Sequence, residues 1–575
     1  MSTTKPQIDE VKNALIDRGF IEQKNNEFSG TIDCDEFGVL PVTVVLPPGF
    51  PRKVPSVYVL RTVLPHRIPH QEENGKLCLF RNTGLLIDAA RPIAVIDETI
   101  EKARSEVLLK GLRKENFDDF IEEFVAYWKT DEHLWSICNP FGGSREILCM
   151  SIQGKLPDPY VLLADSENAA LNWGSKLEHK LLKVDAGYLV QIERPFYPPS
   201  FSEPVLNRNL YDYLRSYCSL ETATLFDRWL YHNDLPRIVL LSMPTLEMDQ
   251  RTLVAVRIER ASGKALTKAQ AGFRPGYRVQ GAKEFHLSMT NPTTKIKVDR
   301  LDKEFIISRG GSELNLIEKT VVVLGSGAIG SRVSEKLASS GVGKLRIVDN
   351  EDYHVENLYR HLLGIDDIGS NKAAGMCALL DRRFPEQVHE YRNKDIETLL
   401  VEESGFVHES DLIIVTVGDD NLEFSLNELF SKDVPRMHVW VEPLSLGGHL
   451  IQKINPGSGC FRCIFRRNED QGFFNQSSFA APNQNFQRSH SGCVGVFTPF
   501  SALDADKAAN EAARRAIDFL TGDIDSNALV SWLTRKKAFE AEGLILSKRG
   551  KMFSEDEQRV EHNFSDDQCE YCGHL

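Results

Sequence analysis

The sequence predicts an α/β multidomain protein, and three observations carry the prediction. Its 575 residues exceed what one hydrophobic core usually holds. The first 138 residues read as a helix, a meander of short strands, a cysteine-bearing loop and further helices. From about residue 315 strands and helices alternate, the pattern of a parallel sheet wrapped by helices. The boundaries expected are 1–138, 139–296 and 297–575.

In the first segment, "IDEVKNALIDRGF" places Val11, Leu15 and Ile16 at helical spacing and stops at Gly19. "FSGTIDCDEF", "VLPVTVVLPPGFP" and "VPSVYVLRTVLP" are alternating or β-branched runs broken by Pro-Gly and Pro-rich turns, which predicts an antiparallel meander. "GKLCLF" follows, carrying Cys78 in an irregular stretch, and helix returns from about 93 to 129 with "FDDFIEEFVAYWK" apolar on one face. Residues 139–296 mix short strands ("YVLLAD", "RIVLLSM", "TLVAVRI") with turn-rich stretches, a linker domain in which no chemical constellation stands out.

Composition narrows the function classes. The chain is 42% hydrophobic and 26% charged, with a formal net charge of -14, so a direct nucleic-acid partner, which needs a basic face, is not expected. "MSTTKPQIDE" has no apolar core behind a basic start, and no apolar run is long enough to span a bilayer; a cytoplasmic protein with no membrane partner is expected. Eleven cysteines in a chain this long do not resemble a disulfide framework, and those at short spacing read as metal ligands or nucleophiles.

"VVVLGSGAIGSRVSEKL" puts Gly325, Gly327 and Gly330 after an apolar strand and at the start of a helix, where small residues let the backbone turn and present amides to phosphates. "KLRIVD" ends at Asp349, about 20 residues on, where an acid accepts hydrogen bonds from a ribose. This much fits an NAD-dependent oxidoreductase as well as an ATP enzyme. Asn357, Arg360 and Lys372 then follow; such cations suit ATP attacked at its α-phosphate, where charge builds in the transition state. Asp419, after "DLIIVTV", lies where a strand end holds Mg²⁺, and its neighbour Asp420 is an equal candidate.

"CFRC" and "CEYC" supply Cys460, Cys463, Cys569 and Cys572, four thiolates for a closed tetrahedral Zn²⁺; free or redox-active thiols are the alternative. Cys493 lies between the two pairs, just before a core helix expected near Ala502 whose N-terminal amides would lower a thiol pKa, with Arg488 and His490 ahead of it. A buried, inert cysteine is the competing reading.

"ASSGVGKLRIVDNEDYHVENLYRHLL" resembles the adenylation domain of the MoeB/ThiF and ubiquitin-activating superfamily: an acid at the ribose, an acid two residues later, Asn-Leu-x-Arg-Gln and a downstream Lys, here Asp349, Glu351, Asn357, Leu358, Arg360 and Lys372, with Glu351 in place of Asp and His361 in place of Gln. The resemblance runs from about 315 onward. It implies a Rossmann-like fold, ATP and Mg²⁺ as cofactors, a zinc clip, thioester formation on Cys493 and a homodimer, with Arg300 or Arg309 entering a partner's site. Residues 5–130 resemble the ubiquitin-conjugating fold, an α+β domain: a Pro-rich turn after the third strand, then Gly75, Cys78 and Leu79 in register, but Ile68, Pro69 and His70 where the family has His-Pro-Asn.

Together these resemble the activating and conjugating fusion enzymes of bacterial CBASS anti-phage operons. The resemblance implies adenylation of a carrier protein's C-terminal carboxylate, the carrier being a cGAS/DncV-like nucleotidyltransferase, followed by a thioester on Cys493, transfer to Cys78 and conjugation to an amine-bearing target. A MoeB-like sulfur-carrier adenylyltransferase without conjugating activity, an NAD-dependent oxidoreductase and a non-enzymatic binding module with a vestigial adenylation site are the alternatives.

Overall fold

The computed structural model describes residues 5–572 apart from 25, 81–85, 154–159, 178–179, 195–206, 233–236, 248–249, 259–291, 431–433, 458, 469–471 and 490–495. The chain divides into two compact units, residues 1–170 with 181–300, and 171–180 with 301–575.

The first unit opens with the helix Lys5–Asp17, then β1 (Ile21–Lys24), β2 (Glu27–Asp33), β3 (Val39–Val45) and β4 (Ser56–Tyr58). These strands form one antiparallel sheet in sequence order, the meander expected. The alternation of β3 buries Leu40, Val42 and Val44 on one face. Val95, Ile96 and Thr99 of the helix Pro92–Lys102 are buried with them.

Seven strands follow: β5 (His133–Ser136), β6 (Arg145–Gln153), β7 (Tyr160–Ala164), β8 (Lys180–Gln191), β9 (Arg237–Pro244), β10 (Arg251–Ile258) and β11 (Thr294–Arg300). They close a barrel in the order β10-β11-β5-β7-β6-β8-β9. The short strands read from the sequence are thus one closed sheet, which leaves no strand edge. Phe124 and Trp128 pack into the cluster formed by β8, β9 and β10, and Trp128 Nε1 donates to Ile296 O (3.2 Å), tying the barrel to the end of the helical stretch before it.

The second unit is built on an eight-stranded sheet: β12 (Thr320–Leu324), β13 (Lys344–Val348), β14 (Val388–Arg392), β15 (Leu412–Val415), β16 (Arg436–Val441) and β17 (Gly447–Lys453), then, past two small hairpins formed by β18 (Phe465–Asn468), β19 (Gly472–Asn475), β20 (Arg488–Ser489) and β21 (Val496–Phe497), β22 (Ala528–Leu533) and β23 (Gln558–Glu561). In the order β14-β13-β12-β15-β16-β17-β22-β23, the first five are parallel, as expected, and the last three antiparallel. The helix Ala502–Thr521 starts where the sequence placed it. Its buried face is alanine, at 505, 508, 509, 512, 513 and 516, which lets its backbone pack close to the helix Ala328–Ser339 and to the sheet. Among the described residues no helix is long and apolar enough to cross a membrane.

Candidate functional site

Two constellations stand out, one in each unit. In the second unit, β12 runs into Gly325 (φ 87°), and Gly327 caps the helix Ala328–Ser339. Gly330 is demanded by packing, since a Cβ there would lie 1.9 Å from Gly325 O and 2.6 Å from Thr416 Oγ1. At Gly327, whose φ of -78° any residue adopts, a Cβ would meet nothing within 4 Å. The helix therefore presents its first amides to an open cradle with room for an anion.

Asp349 closes this loop from the end of β13. Its Oδ2 accepts from Ser326 N (2.6 Å) and its Oδ1 from Glu351 N (2.8 Å). Burial pushes its pKa up, against the pull of these two amides and of Lys372. Lys372, buried at the start of the helix Lys372–Arg383, forms an ion pair with Glu351. Asn371 caps that helix and donates from Nδ2 to Asp349 O (2.9 Å), so Asp349 and Lys372 are held by one residue. Glu351, Asn357 and Lys372 line a cavity of about 390 Å³. Asn357 Oδ1 accepts from His354 N (3.0 Å).

Arg360 stacks its guanidinium over the Phe500 ring at 4.7 Å. His361 is 7% exposed, its Nε2 lies 2.6 Å from Ser326 O, and its Nδ1 accepts from Leu363 N (3.1 Å); burial pulls its pKa down to about 4, so the ring is neutral. Asp419 caps the helix Asp420–Leu429 through Asn421 N (2.9 Å) and Leu422 N (3.2 Å), while Asp420 has its pKa raised by burial and by Asp419 and Glu442. Thr416, which sequence reasoning missed, donates from Oγ1 to Gly325 O (2.8 Å) and so fixes the glycine turn from β15. Cys493 and His490 lie outside the described residues. Arg488 pairs with Glu542 (2.8 Å), Arg300 Nη1 donates to Arg251 O (2.6 Å), and Arg309 is exposed at the end of the helix Lys303–Arg309.

The structure gathers Cys460, Cys463, Cys569 and Cys572, all buried, with every sulfur within 4.8 Å of the others. The separations of 3.8 Å (460–463), 3.8 Å (460–569) and 3.3 Å (463–572) bracket the edge of about 3.8 Å that a tetrahedron of Zn–S bonds near 2.3 Å requires. Cys460 N donates to Cys463 Sγ (3.4 Å) and Asn427 Nδ2 to Cys460 Sγ (3.8 Å), orienting donors for thiolates. Residues 109 positions apart thus meet as one donor set of the kind that suits zinc.

The second constellation surrounds Cys78. Gly75, at φ 87°, is required because a Cβ would sit 2.4 Å from Val59 O, and the turn it makes delivers an exposed Cys78 to a cavity of about 130 Å³. Cys78 N donates to His70 O (2.8 Å), and Cys78 Sγ lies 3.9 Å from Glu72 Oε1. Desolvation, then Glu72 and Glu123, push the thiol pKa up. His70 is held at φ 58°, a costly conformation for a residue with a Cβ. Both its ring nitrogens donate to carboxylates, Nε2 to Asp119 Oδ2 (2.8 Å) and Nδ1 to Glu123 Oε2 (3.1 Å), and its backbone N donates to Tyr127 OH (2.7 Å). Glu123, then Asp119, raise its pKa against the effect of burial. With a carboxylate oxygen at each ring nitrogen, the ring anchors the loop and both nitrogens are turned away from an oxyanion role. Arg61 also lines the cavity, with Nε and Nη2 buried and lacking a hydrogen-bond partner, donors suited to negative charge. Asp119, Glu123 and Arg61 carried no signal in the sequence, because nothing local ties them to Cys78.

Residues 304–538 match the ThiF family and residues 14–136 match prokaryotic E2 family B. The ATP-dependent ubiquitin transferase-like protein Cap2 of Pseudomonas aeruginosa is 24% identical over 506 residues, 84% of this chain and 85% of that protein. The SAMP-activating enzyme E1 of Haloferax volcanii is 26% identical over 188 residues, 32% of this chain and 68% of that one. Among solved structures, E. coli MccB with MccA-N7isoASN is similar at 20% identity with a TM-score of 0.34, covering 45% of this chain and 68% of that chain.

Proposed function

Because the chain joins an N-terminal prokaryotic E2 family B domain to a ThiF-family adenylation domain, as ubiquitin-activating and conjugating enzymes would be joined in a fusion, we propose that it both activates a protein carboxylate and conjugates it to an amine. The observation that carries the reading is the coexistence in one chain of an open glycine cradle and an accessible thiol: the cradle with Asp349, Asn357 and Lys372 beside it, and Cys78 lining a cavity with His70, Glu72 and Lys129.

In this reading ATP supplies the α-phosphate that a carrier's C-terminal carboxylate attacks. The amides at Gly327 receive the phosphates, Asp349 takes the ribose hydroxyls, Asn357 hydrogen-bonds, and Arg360 and Lys372 neutralise charge as the pentavalent state forms. Asp419 holds Mg²⁺ at the strand end. Cys493 takes the acyl group as a thioester, Cys78 receives it by thiol exchange, and an amine of the target receives it last. Cys460, Cys463, Cys569 and Cys572 hold a structural zinc away from the chemistry. By the resemblance to CBASS fusion enzymes, the carrier is a cGAS/DncV-like nucleotidyltransferase and the setting is cytoplasmic anti-phage defence. A homodimer fits the exposed Val355 (60%), Tyr359 (90%) and Ile365 (68%) beside the nucleotide loop, and Arg309 is the better-placed arginine to reach a partner, since Arg300 is bonded within its own barrel.

Intact mass spectrometry of the enzyme with ATP and such a carrier tests the relay. A thiol-labile carrier adduct on wild type is expected to shift to Cys493 in Cys78→Ala, and to vanish in Cys493→Ala. Conjugates forming at the wild-type rate in Cys78→Ala would remove the second thiol from the reaction, and adenylation without any conjugate in wild type would leave a MoeB-like activity.

A further inference from the structure

We propose that Lys129 is a self-modification site, an internal acceptor that takes the acyl group from Cys78 while Glu72 receives its ammonium proton. The inference rests on the reading of Cys78 as the thioester-bearing thiol. Among the described residues, Lys129 is the lysine that lines the cavity at Cys78. Its Nζ lies 3.9 Å from Glu72 Oε2, and the other oxygen of that carboxylate lies 3.9 Å from Cys78 Sγ. One carboxylate therefore stands between the nucleophile and an amine.

A second feature of the same cavity also suits an ammonium. Gln71 is 1% exposed and lines the cavity; its Nε2 donates to Val59 O (2.8 Å), which fixes the amide, and its Oε1 has no hydrogen-bond partner. An unused buried acceptor beside Glu72 and Glu123 calls for a donor-rich, positively charged group. The backbone beneath Lys129 is fixed on the side that leads to it, by Tyr127 OH at His70 N and by Trp128 Nε1 at Ile296 O, whereas its side chain is 54% exposed. The four-carbon stem is free to swing while its root stays near Cys78, so the amine is present at high effective concentration.

The step balances without another reagent. Lys129 gives one ammonium proton to Glu72, and its nitrogen lone pair attacks the acyl carbon on Cys78. The tetrahedral intermediate expels the Cys78 thiolate as the C–S bond breaks, and a second proton from nitrogen returns to sulfur. The products are an amide on Lys129 and the free Cys78 thiol.

A short glycine-terminated peptide thioester of mercaptoethanesulfonate, incubated with the full-length protein without ATP, tests this. It loads accessible thiols by exchange and needs no activation step. The expected result is a peptide mass on Cys78 that dithiothreitol removes, followed by the same mass, resistant to dithiothreitol, mapped to Lys129. In Lys129→Arg the resistant mass at 129 disappears and the labile adduct persists longer; in Glu72→Gln the transfer slows at least about 10-fold; in Cys78→Ala neither adduct forms at these positions. Stable loading of Cys78 with no transfer to Lys129, or resistant label on Lys129 that is equal in Cys78→Ala, would overturn the self-modification alone. Failure of Cys78 to load at all would overturn the relay on which it rests.

Discussion

The imidazole Nε2 of His361 lies 2.6 Å from the carbonyl oxygen of Ser326, the residue whose own N–H is held by Asp349. With its pKa pulled down to about 4 by burial, the ring is neutral and offers one donor, to Ser326 O, and one acceptor, to Leu363 N. A glutamine amide offers the same pair, so histidine can stand where the adenylation motif that this stretch resembles has glutamine. His361→Gln is expected to keep ATP binding within about threefold, and His361→Ala to lose an order of magnitude, a hydrogen-bond pair being worth about 1–1.5 kcal/mol. The folded pKa lies below the unfolded value, so the unfolded chain binds the extra proton and stability falls as pH drops from about 6.5 toward 4. This group alone should cost about 2 kcal/mol at pH 5. Thermal midpoints at pH 7 and pH 5 should converge more for His361→Gln than for wild type; equal acid sensitivity would show that the ring is not held neutral.

Gly327 and Gly330 separate folding from ligand binding. A Cβ on Gly330 collides with backbone at 1.9 Å and cannot be relieved by a side-chain shift, so Gly330→Ala should lower the thermal midpoint of the second unit and abolish ATP binding together. A Cβ on Gly327 meets no protein atom within 4 Å. Gly327→Ala should therefore keep the wild-type midpoint while weakening ATP by tenfold or more, as calorimetric titration would read, because the methyl enters space reserved for phosphate. Unchanged ATP affinity in Gly327→Ala would place the nucleotide elsewhere.

The parts of the molecule legible in the sequence are those specified by residues near one another. Hydrophobic period and turn residues located β12, β13, β15 and β16, the meander and the helix at Ala502, and fixed local spacing singled out Gly325, Gly330, Asp349 and Lys372, which the fold does bring to one loop cluster. The barrel was not legible, because its strands are separated by up to 45 residues, between β8 and β9, and because β11 pairs with β5, Lys297 lying opposite His133 across 164 positions. The surroundings of Cys78 failed for the same reason: Asp119 and Glu123 reach His70 across 49 and 53 positions, and no local pattern marks an acid for that task. His70 stands where the ubiquitin-conjugating fold it resembles has an asparagine. The two carboxylates turn it into an anchor.

Asp419 and Asp420, inseparable by spacing, differ in structure. Asp419 accepts the two N–H groups that start its helix, and Asp420 is driven toward the protonated form by burial beside Asp419 and Glu442. Asparagine caps as well as aspartate, so Asp419→Asn should leave the thermal midpoint within about 1 °C while Asp419→Ala loses about 1 kcal/mol. If Asp419 holds Mg²⁺, both variants lose Mg²⁺-dependent pyrophosphate exchange by at least about 100-fold, and Asp420→Asn loses far less. The reverse ranking would move the metal to Asp420.

The four-cysteine site makes a prediction about the end of the chain. Cys569 and Cys572 follow β23, which among the described residues pairs only with β22 at the edge of the sheet, so the sulfurs, with the ion pairs Arg462–Glu570 (2.8 Å) and Arg466–Asp566 (3.3 Å), fasten this end to the segment around Cys460 and Cys463. Four buried cysteines would complete a tetrahedral zinc's coordination sphere and leave no position for substrate. Purified protein should contain about one zinc per chain. Cys569→Ser with Cys572→Ser should lose it, lower the thermal midpoint and expose the segment after residue 557 to protease, because two of the four ligands that tie the segment to Cys460 and Cys463 are gone. Pyrophosphate exchange at low temperature should survive, since neither the glycine cradle nor Lys372 touches the cluster. Full stability in metal-free protein, with protection that instead depends on oxidant, would identify the sulfurs as a redox pair rather than a clip.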